Sequence, residues 1–306
     1  MSPPYPPYHL PVLSQEVLRA TAGARRIVDG TLGDGGHAAL FLATGAEVLG
    51  IDRDPDAIAT ARRRLGPDRL TLLEAPYGSA EALRSVADFR PDAILLDLGV
   101  SSRQLDEDAR GFSFRPGAPL DMRMGRAGAT AADLLNREDE ATLRQYLADW
   151  ADEPRARRLA AELVRRRQRA PFAVSDDLVN AIRAVLGPRS GPADFARIFQ
   201  AVRIAVNDEL PGLARALPAF RDALAPGGVL AVISYHSGED RTVKQAFHAW
   251  SRACICPPEQ PVCTCRGRPL GRADPRRALA PGAEEMADNP RARSARLRLF
   301  RKADDA

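Results

Sequence analysis

The chain has 306 residues, 45% of them hydrophobic and 27% charged, enough apolar content to bury a large core and to exclude a wholly disordered chain. No apolar run approaches the ~20 residues that span a bilayer, and the proline-rich residues 1–10 lack the basic-then-apolar pattern of an export signal, so the reading is a cytoplasmic protein with no membrane partner. Of 44 basic residues only Lys244 and Lys302 are lysines, and a net charge of +4 is modest for this length, so only regional clustering of arginine argues for a polyanionic partner.

Residues 12–20 read as a short helix with Ser14 as N-cap. Ile27 and Val28 form a buried strand that stops at Asp29 and runs into a turn with Gly30, Gly33, Gly35 and Gly36, then a helix over 38–44. Glycine suits a backbone that turns sharply and comes close to a ligand, so this is a cofactor loop. Gly33-Asp34-Gly35-Gly36-His37-Ala38 also satisfies the dinucleotide pattern, which alone does not choose a cofactor. A second strand over 47–51 ends at Asp52. Asp54-Pro55 then opens a helix to Leu65 as cap and first helical residue. Strands over 70–73 and 93–96, the latter ending at Asp97, flank a helix over 79–87, and this alternation predicts a parallel sheet.

The rhythm breaks after Ser101. Leu143, Tyr146, Leu147 and Trp150 recur at helical spacing, as do Ala156, Leu159, Ala160 and Leu163, and further helices are predicted over 174–186 and from Asp194 to about 210, with Gly191-Pro192 as a hinge. The α/β pattern resumes with a strand over 229–234, a helix over 238–252 and an amphipathic edge strand over 295–300. The predicted organisation is a sheet domain in two parts, 1–104 and 194–306, interrupted by a helical insertion over 105–193.

Three strand ends terminate in acids: Asp29, Asp52 and Asp97. In a doubly wound sheet the ligand crosses those ends, and so many negative charges oppose a pyrophosphate. S-adenosylmethionine fits instead: it carries an ammonium and a sulfonium, and its ribose hydroxyls suit the acid ending the second strand. Asp97-Leu98-Gly99-Val100-Ser101-Ser102 leaves the fourth strand as a sharp loop. An exocyclic amine such as cytosine N4 is a poor nucleophile, and acceptors on its N–H groups help it as the methyl arrives, a role open to Asp97 and nearby carbonyls.

Across nearly its whole length the chain resembles the small-subunit rRNA (cytosine-N4)-methyltransferase H family, also called MraW. The resemblance rests on His9-Leu10-Pro11-Val12-Leu13, the Asp29 to His37 loop, Ile51-Asp52-Arg53-Asp54-Pro55, and the run from Leu95 to Ser102. It continues through Arg110-Gly111-Phe112-Ser113-Phe114, Pro119-Leu120-Asp121-Met122-Arg123-Met124, Phe199-Gln200-Ala201-Val202-Arg203-Ile204, His236-Ser237 with Glu239-Asp240-Arg241, and Asn289 to Ser294. It implies a Rossmann-like class I methyltransferase sheet with an inserted all-helical domain. It also implies methylation of N4 of a decoding-centre cytidine in 16S rRNA, with the RNA or the small ribosomal subunit as partner and a homodimer left open. Carried over by position, Gly35, Gly36 and His37 line the cofactor, Asp52 holds its ribose, Tyr77 flanks the adenine, and Asp97 and Gln104 complete the cofactor and acceptor surroundings. The chain departs from the family pattern at Tyr235, where phenylalanine is usual, at Gly238, at Asp152-Glu153-Pro154, and over 192–198.

Arginines at 155, 157, 158, 165, 166, 167 and 169 form a solvated face of the insertion, equally a plain soluble surface or a phosphate contact. Arg291, Arg293, Arg296 and Arg298, beside the last strand, are the better phosphate candidates. Phe112, Phe114 and Tyr235 are candidates to stack on an unstacked target base. Cys254-x-Cys256 and Cys263-x-Cys265 hold all four cysteines, either a thiolate zinc site or reduced thiols in a proline-stiffened loop.

Overall fold

The computed structural model describes residues 11–257, 260, 262 and 264–304, so His9, Leu10 and Cys263 lie outside the described residues. The chain separates into two compact units, Met1–Gly99 with Leu210–Ala306, and Val100–Glu209.

The first unit begins with α1 (Ser14–Ala20), β1 (Arg26–Asp29), α2 (Gly36–Ala43), β2 (Glu47–Asp52), α3 (Pro55–Leu65), β3 (Leu70–Glu74), α4 (Ala80–Phe89) and β4 (Ala93–Asp97). The local chemistry explains these boundaries. Asp54 accepts the N–H of Asp56 with Pro55 inside the first turn, and Ser79 accepts the N–H of Ala82. Ser14, expected as a cap, is instead the first helical residue of α1; Leu13 precedes it in a left-handed conformation, its N–H bound by Glu285 at 2.6 Å.

The second unit holds α5 (Ser102–Asp106), a short 3-10 turn (Asp108–Arg110), α6 (Ala131–Arg137), α7 (Glu140–Ala151), α8 (Ala156–Arg167), α9 (Ser175–Leu186) and α10 (Pro192–Asn207). One apolar cluster joins Leu143, Leu147, Leu159, Leu163, Ile182, Ile198 and Phe199. The contact boundary falls at Glu209, beyond the 193 expected from the change of rhythm, because α10 turns Phe195, Ile198 and Val202 into this cluster. Gly191-Pro192, expected as a hinge, is the start of α10, with the Gly191 N–H donated to Asp194 at 3.0 Å. The chain breaks at Asp208, which is left-handed at φ 54°.

The first unit resumes at Leu210, inside α11 (Glu209–Ala223), and continues with β5 (Val229–Ser234), α12 (Ser237–Ser251), β6 (Gly271–Ala273), α13 (Ala283–Asp288) and β7 (Arg296–Lys302). Its seven-stranded sheet runs β3-β2-β1-β4-β5-β7-β6. β1 to β5 pair in parallel, while β7 is antiparallel to β5 and to β6. Successive strand residues alternate between two apolar layers, as the strand period of two requires. Val28, Ile51, Ile94, Leu96, Val232 and Phe300 pack against α4, α11 and α12, whereas Ile27, Val48, Leu95, Ile233 and Leu297 pack against α1, α2 and α3. β7 is therefore an interior strand rather than the edge expected. The three-residue β6 that covers it has no apolar alternation to announce it. Among the described residues no helix is long and apolar enough to cross a membrane.

Candidate active site

The glycine-rich turn after β1 fastens three strand ends together. The Gly30 N–H bonds the Leu95 carbonyl of β4 at 2.9 Å, and the Leu32 N–H bonds the Ile51 carbonyl of β2 at 2.9 Å. Thr31 works in both directions. Its N–H donates to Asp29 at 3.3 Å and its hydroxyl accepts the Asp97 N–H at 2.6 Å. The Gly33 N–H donates to Asp52 Oδ2 at 2.8 Å. Asp29, Asp52 and Asp97 thus share one edge, drawn together by a turn with no side chain bulkier than leucine.

The two deeper acids are destabilised as anions. Burial raises the Asp29 pKa to about 6, with the charges of Asp97 and Asp52 adding to the effect against the opposing pull of His37 and the Thr31 N–H. Asp52 is raised to about 6, again mainly by enclosure of its carboxylate, against the N–H donors of Asp54 and Gly33. Those donors, at 2.8 Å each, sit on opposite oxygens of Asp52, so each oxygen keeps one lone pair for a ligand hydroxyl. A cationic or hydroxyl-bearing ligand relieves both acids; a phosphate worsens them.

Gly35 caps α2 at φ 81°, and a Cβ there would meet Leu65 Cδ1 at 2.7 Å. That close approach brings the first turn of α2 down onto α3 and sets His37 in the site. His37 is 5% exposed, and neither ring nitrogen has a hydrogen-bond partner; Nε2 stops 3.7 Å from Asp97 Oδ2. A buried imidazole with two unmet polar atoms beside a carboxylate fits a site completed by a polar ligand. Asp97 Oδ1 accepts the Tyr235 hydroxyl at 2.8 Å. Burial first, then the Asp97 charge, holds the Tyr235 pKa well above its usual value, so the phenol stays a donor.

Tyr77 follows β3 two residues beyond Ala75, whose N–H bonds the Asp52 carbonyl, and is half-buried on the sheet core. Gly35, Gly36, His37, Asp52, Tyr77 and Asp97 therefore share the carboxyl-end side of one sheet. Gln104 belongs to the helical unit. Its amide oxygen accepts the Ser101 N–H at 3.0 Å and its amide nitrogen donates to the Met124 carbonyl at 2.9 Å. Arg110 reaches the same carbonyl at 2.7 Å, and Asn207 holds the Met122 carbonyl and the Met124 N–H, so Gln104 helps order the 120–124 loop.

Sequence reasoning missed Thr31, because no pattern marks a threonine that bridges two strands, and it missed the Tyr235 hydroxyl, having read that residue only as a stacking surface. Phe114, 37% exposed, lies edge-on to Phe195 and Phe199, each at 5.9 Å. Several arginines have structural partners. Arg298 pairs with Asp240 through both carboxylate oxygens, Arg165 and Arg166 pair with Glu162, Arg155 bonds the last carbonyls of α9, and Arg167 those near α6.

A family model described as the MraW methylase family matches residues 7–303. A Gemmatimonas aurantiaca protein named Ribosomal RNA small subunit methyltransferase H is 60% identical over 301 residues, covering 97% of this chain and 96% of its own. Proteins of the same name from Rubrobacter xylanophilus and Heliobacterium modesticaldum are 47% and 45% identical over 310 residues, covering 97% and 96% of this chain and 97% and 98% of their own. With the match running almost end to end, the chain belongs to the MraW methylase family.

Proposed function

We propose that the protein uses S-adenosylmethionine to methylate the exocyclic N4 of a decoding-centre cytidine in 16S ribosomal RNA. The observation that carries this reading is the joining of Asp29, Asp52 and Asp97 at one sheet edge by the glycine turn, a site suited to a cationic methyl donor and an amine acceptor. Relatives named as small-subunit ribosomal RNA methyltransferases supply the RNA class.

Bound S-adenosylmethionine supplies an electrophilic methyl on a sulfonium. Asp52 receives the ribose hydroxyls on its two remaining lone pairs. Gly35 and Gly36 would allow close approach of the backbone, Tyr77 would cover the adenine, and the His37 ring nitrogens would take polar atoms at the amino-acid end. Asp97 accepts an N4–H of the cytosine, raising electron density on the nitrogen as it attacks in line. The electron pair of the broken C–S bond would stay with the departing thioether, and the proton lost from N4 would pass to water. Tyr235 turns Asp97 so that one oxygen is held and the other faces the acceptor. Catalysis is then mostly positioning and complementary charge. We assign the reaction to the cytoplasm.

Labelled S-adenosylmethionine, incubated with the protein and either small-subunit particles or free 16S RNA, should deposit label on a cytidine N4, and Asp97→Ala should lose at least ~100-fold in rate. Absence of label in RNA, or equal label from the variant, overturns the reading.

A further inference from the structure

Away from the strand ends, the described residues gather one other set of soft ligands within a single unit. The sulfurs of Cys254, Cys256 and Cys265 all lie within 4.8 Å of one another in the loop between α12 and β6. All four cysteines of the protein fall between positions 254 and 265, and Cys263 lies outside the described residues.

Both arms of this loop are anchored. Arg266, next to Cys265, donates to the carbonyls of Ala249 at 2.7 Å and Arg252 at 2.8 Å, holding one arm against the end of α12. The Leu270 N–H bonds the Trp250 carbonyl at 2.8 Å. Within the loop the Ile255 N–H donates to Cys265 Sγ at 3.4 Å, the kind of backbone donor a metal-bound sulfur accepts. Ile255 and Val262 are 50% and 69% exposed, so apolar packing does not organise the segment.

We propose that Cys254, Cys256 and Cys265 hold a structural zinc ion that clips this loop to the end of α12. A tetrahedral zinc with Zn–S bonds of about 2.3 Å places its sulfurs ~3.8 Å apart, inside the 4.8 Å that bounds the present separations, and leaves a fourth position for one further donor. Three thiolates select zinc over magnesium or calcium. Each thiol gives up its proton on binding and no oxidant or reductant is consumed. The ion takes no part in methyl transfer; it fixes an exposed segment that has little core of its own.

The full-length protein, purified without a metal-chelating tag and under reducing conditions, should carry one zinc per chain by elemental analysis. Exchange into cobalt(II) should give thiolate-to-cobalt charge-transfer bands in the near ultraviolet and tetrahedral bands in the red. Loss of an outer partner of a metal ligand costs 10- to 100-fold in affinity, so Cys254→Ser and Cys265→Ser should each weaken zinc more than ~100-fold in chelator competition. A stoichiometry near zero after reconstitution with zinc, no charge-transfer band in the wild type, or zinc held equally by both variants overturns the assignment. The cobalt spectrum uses the unaltered protein and so does not depend on the variants folding.

Discussion

In the mechanism we propose, Asp97 and Tyr235 form the pair on which the acceptor side of the site turns. Tyr235→Phe removes only the hydroxyl that donates to Asp97 at 2.8 Å and leaves the ring against Gly99. A hydrogen bond to a charged group is worth about 1.5–3 kcal/mol. We expect kcat to fall about tenfold while the Kd for S-adenosylmethionine stays within about twofold, measured by single-turnover kinetics and calorimetry. Unchanged kcat would show that the hydroxyl does not orient the carboxylate. The raised acids give a second expectation. Burial raises the Asp29 and Asp52 carboxyls to about 6 in the folded protein from the ordinary 3.8, so the folded state binds more protons between those values. Their contribution to stability therefore declines as pH rises from about 4 to 6 and is level above that. The cofactor favours the ionised carboxylates, so its affinity should fall as pH drops below about 6 and plateau above, with proton release on binding near pH 6, visible as a buffer-dependent heat in calorimetry. A flat affinity from pH 5 to 8 would contradict this.

At the level of elements, Gly35 and Phe300 report on different joints. Gly35→Ala places a Cβ in a left-handed position and 2.7 Å from Leu65. The start of α2 must then shift, costing about 1–3 kcal/mol of stability and at least ~10-fold in cofactor affinity, read from thermal unfolding and titration. Phe300 on β7 packs at 5.4 Å from Phe247 and 5.2 Å from Trp250, so Phe300→Ala should cost about 3–5 kcal/mol in denaturant unfolding while leaving cofactor affinity in the folded fraction unchanged. Such elements differ in how far the sequence announces them. The strands ending at Asp29, Asp52 and Asp97 were legible because apolar runs stopped at acids beside glycine, and α3 because Asp54-Pro55 is a cap followed by a preset φ. The short β6, α6 and α13 were not, since three to seven residues carry too little periodicity. The end of the helical unit was misread because Gly191-Pro192 looks like a break when taken alone, whereas a proline at the first helical position is a start. Which residues share the sheet edge was legible; Thr31 as their fastening was not, because it depends on register between β1 and β4.

For the molecule as a whole, the arginine content says less about RNA than its abundance suggests. Arg155, Arg165, Arg166, Arg167 and Arg298 bond carbonyls or carboxylates of the protein itself, which leaves Arg157, Arg158 and Arg169 as the exposed arginines of the insertion face best suited to phosphate. Arg157→Ala with Arg158→Ala should weaken RNA binding uniformly and flatten the dependence of log K on log salt by about 1 to 2, in filter-binding or anisotropy titrations. Arg298→Ala should instead lower the melting temperature. An unchanged salt slope in the double variant would return that face to plain solvation. The order of the chain along the sheet has a further consequence, for synthesis. β4 has its partner β1 early, but its other neighbour, β5, lies beyond the whole of Val100–Glu209, and β5 in turn awaits β7 near the end of the chain. At about 5–20 residues per second, translation from the end of β4 through β5 leaves the edge of β4 bare for about 7–27 s. The contiguous helical unit can collapse on its own core in that interval, while the half-built sheet waits with an open, apolar edge. A nascent protein of this design is therefore most exposed to wrong strand pairing midway through its own translation, and finds its last protection only when β7 leaves the ribosome.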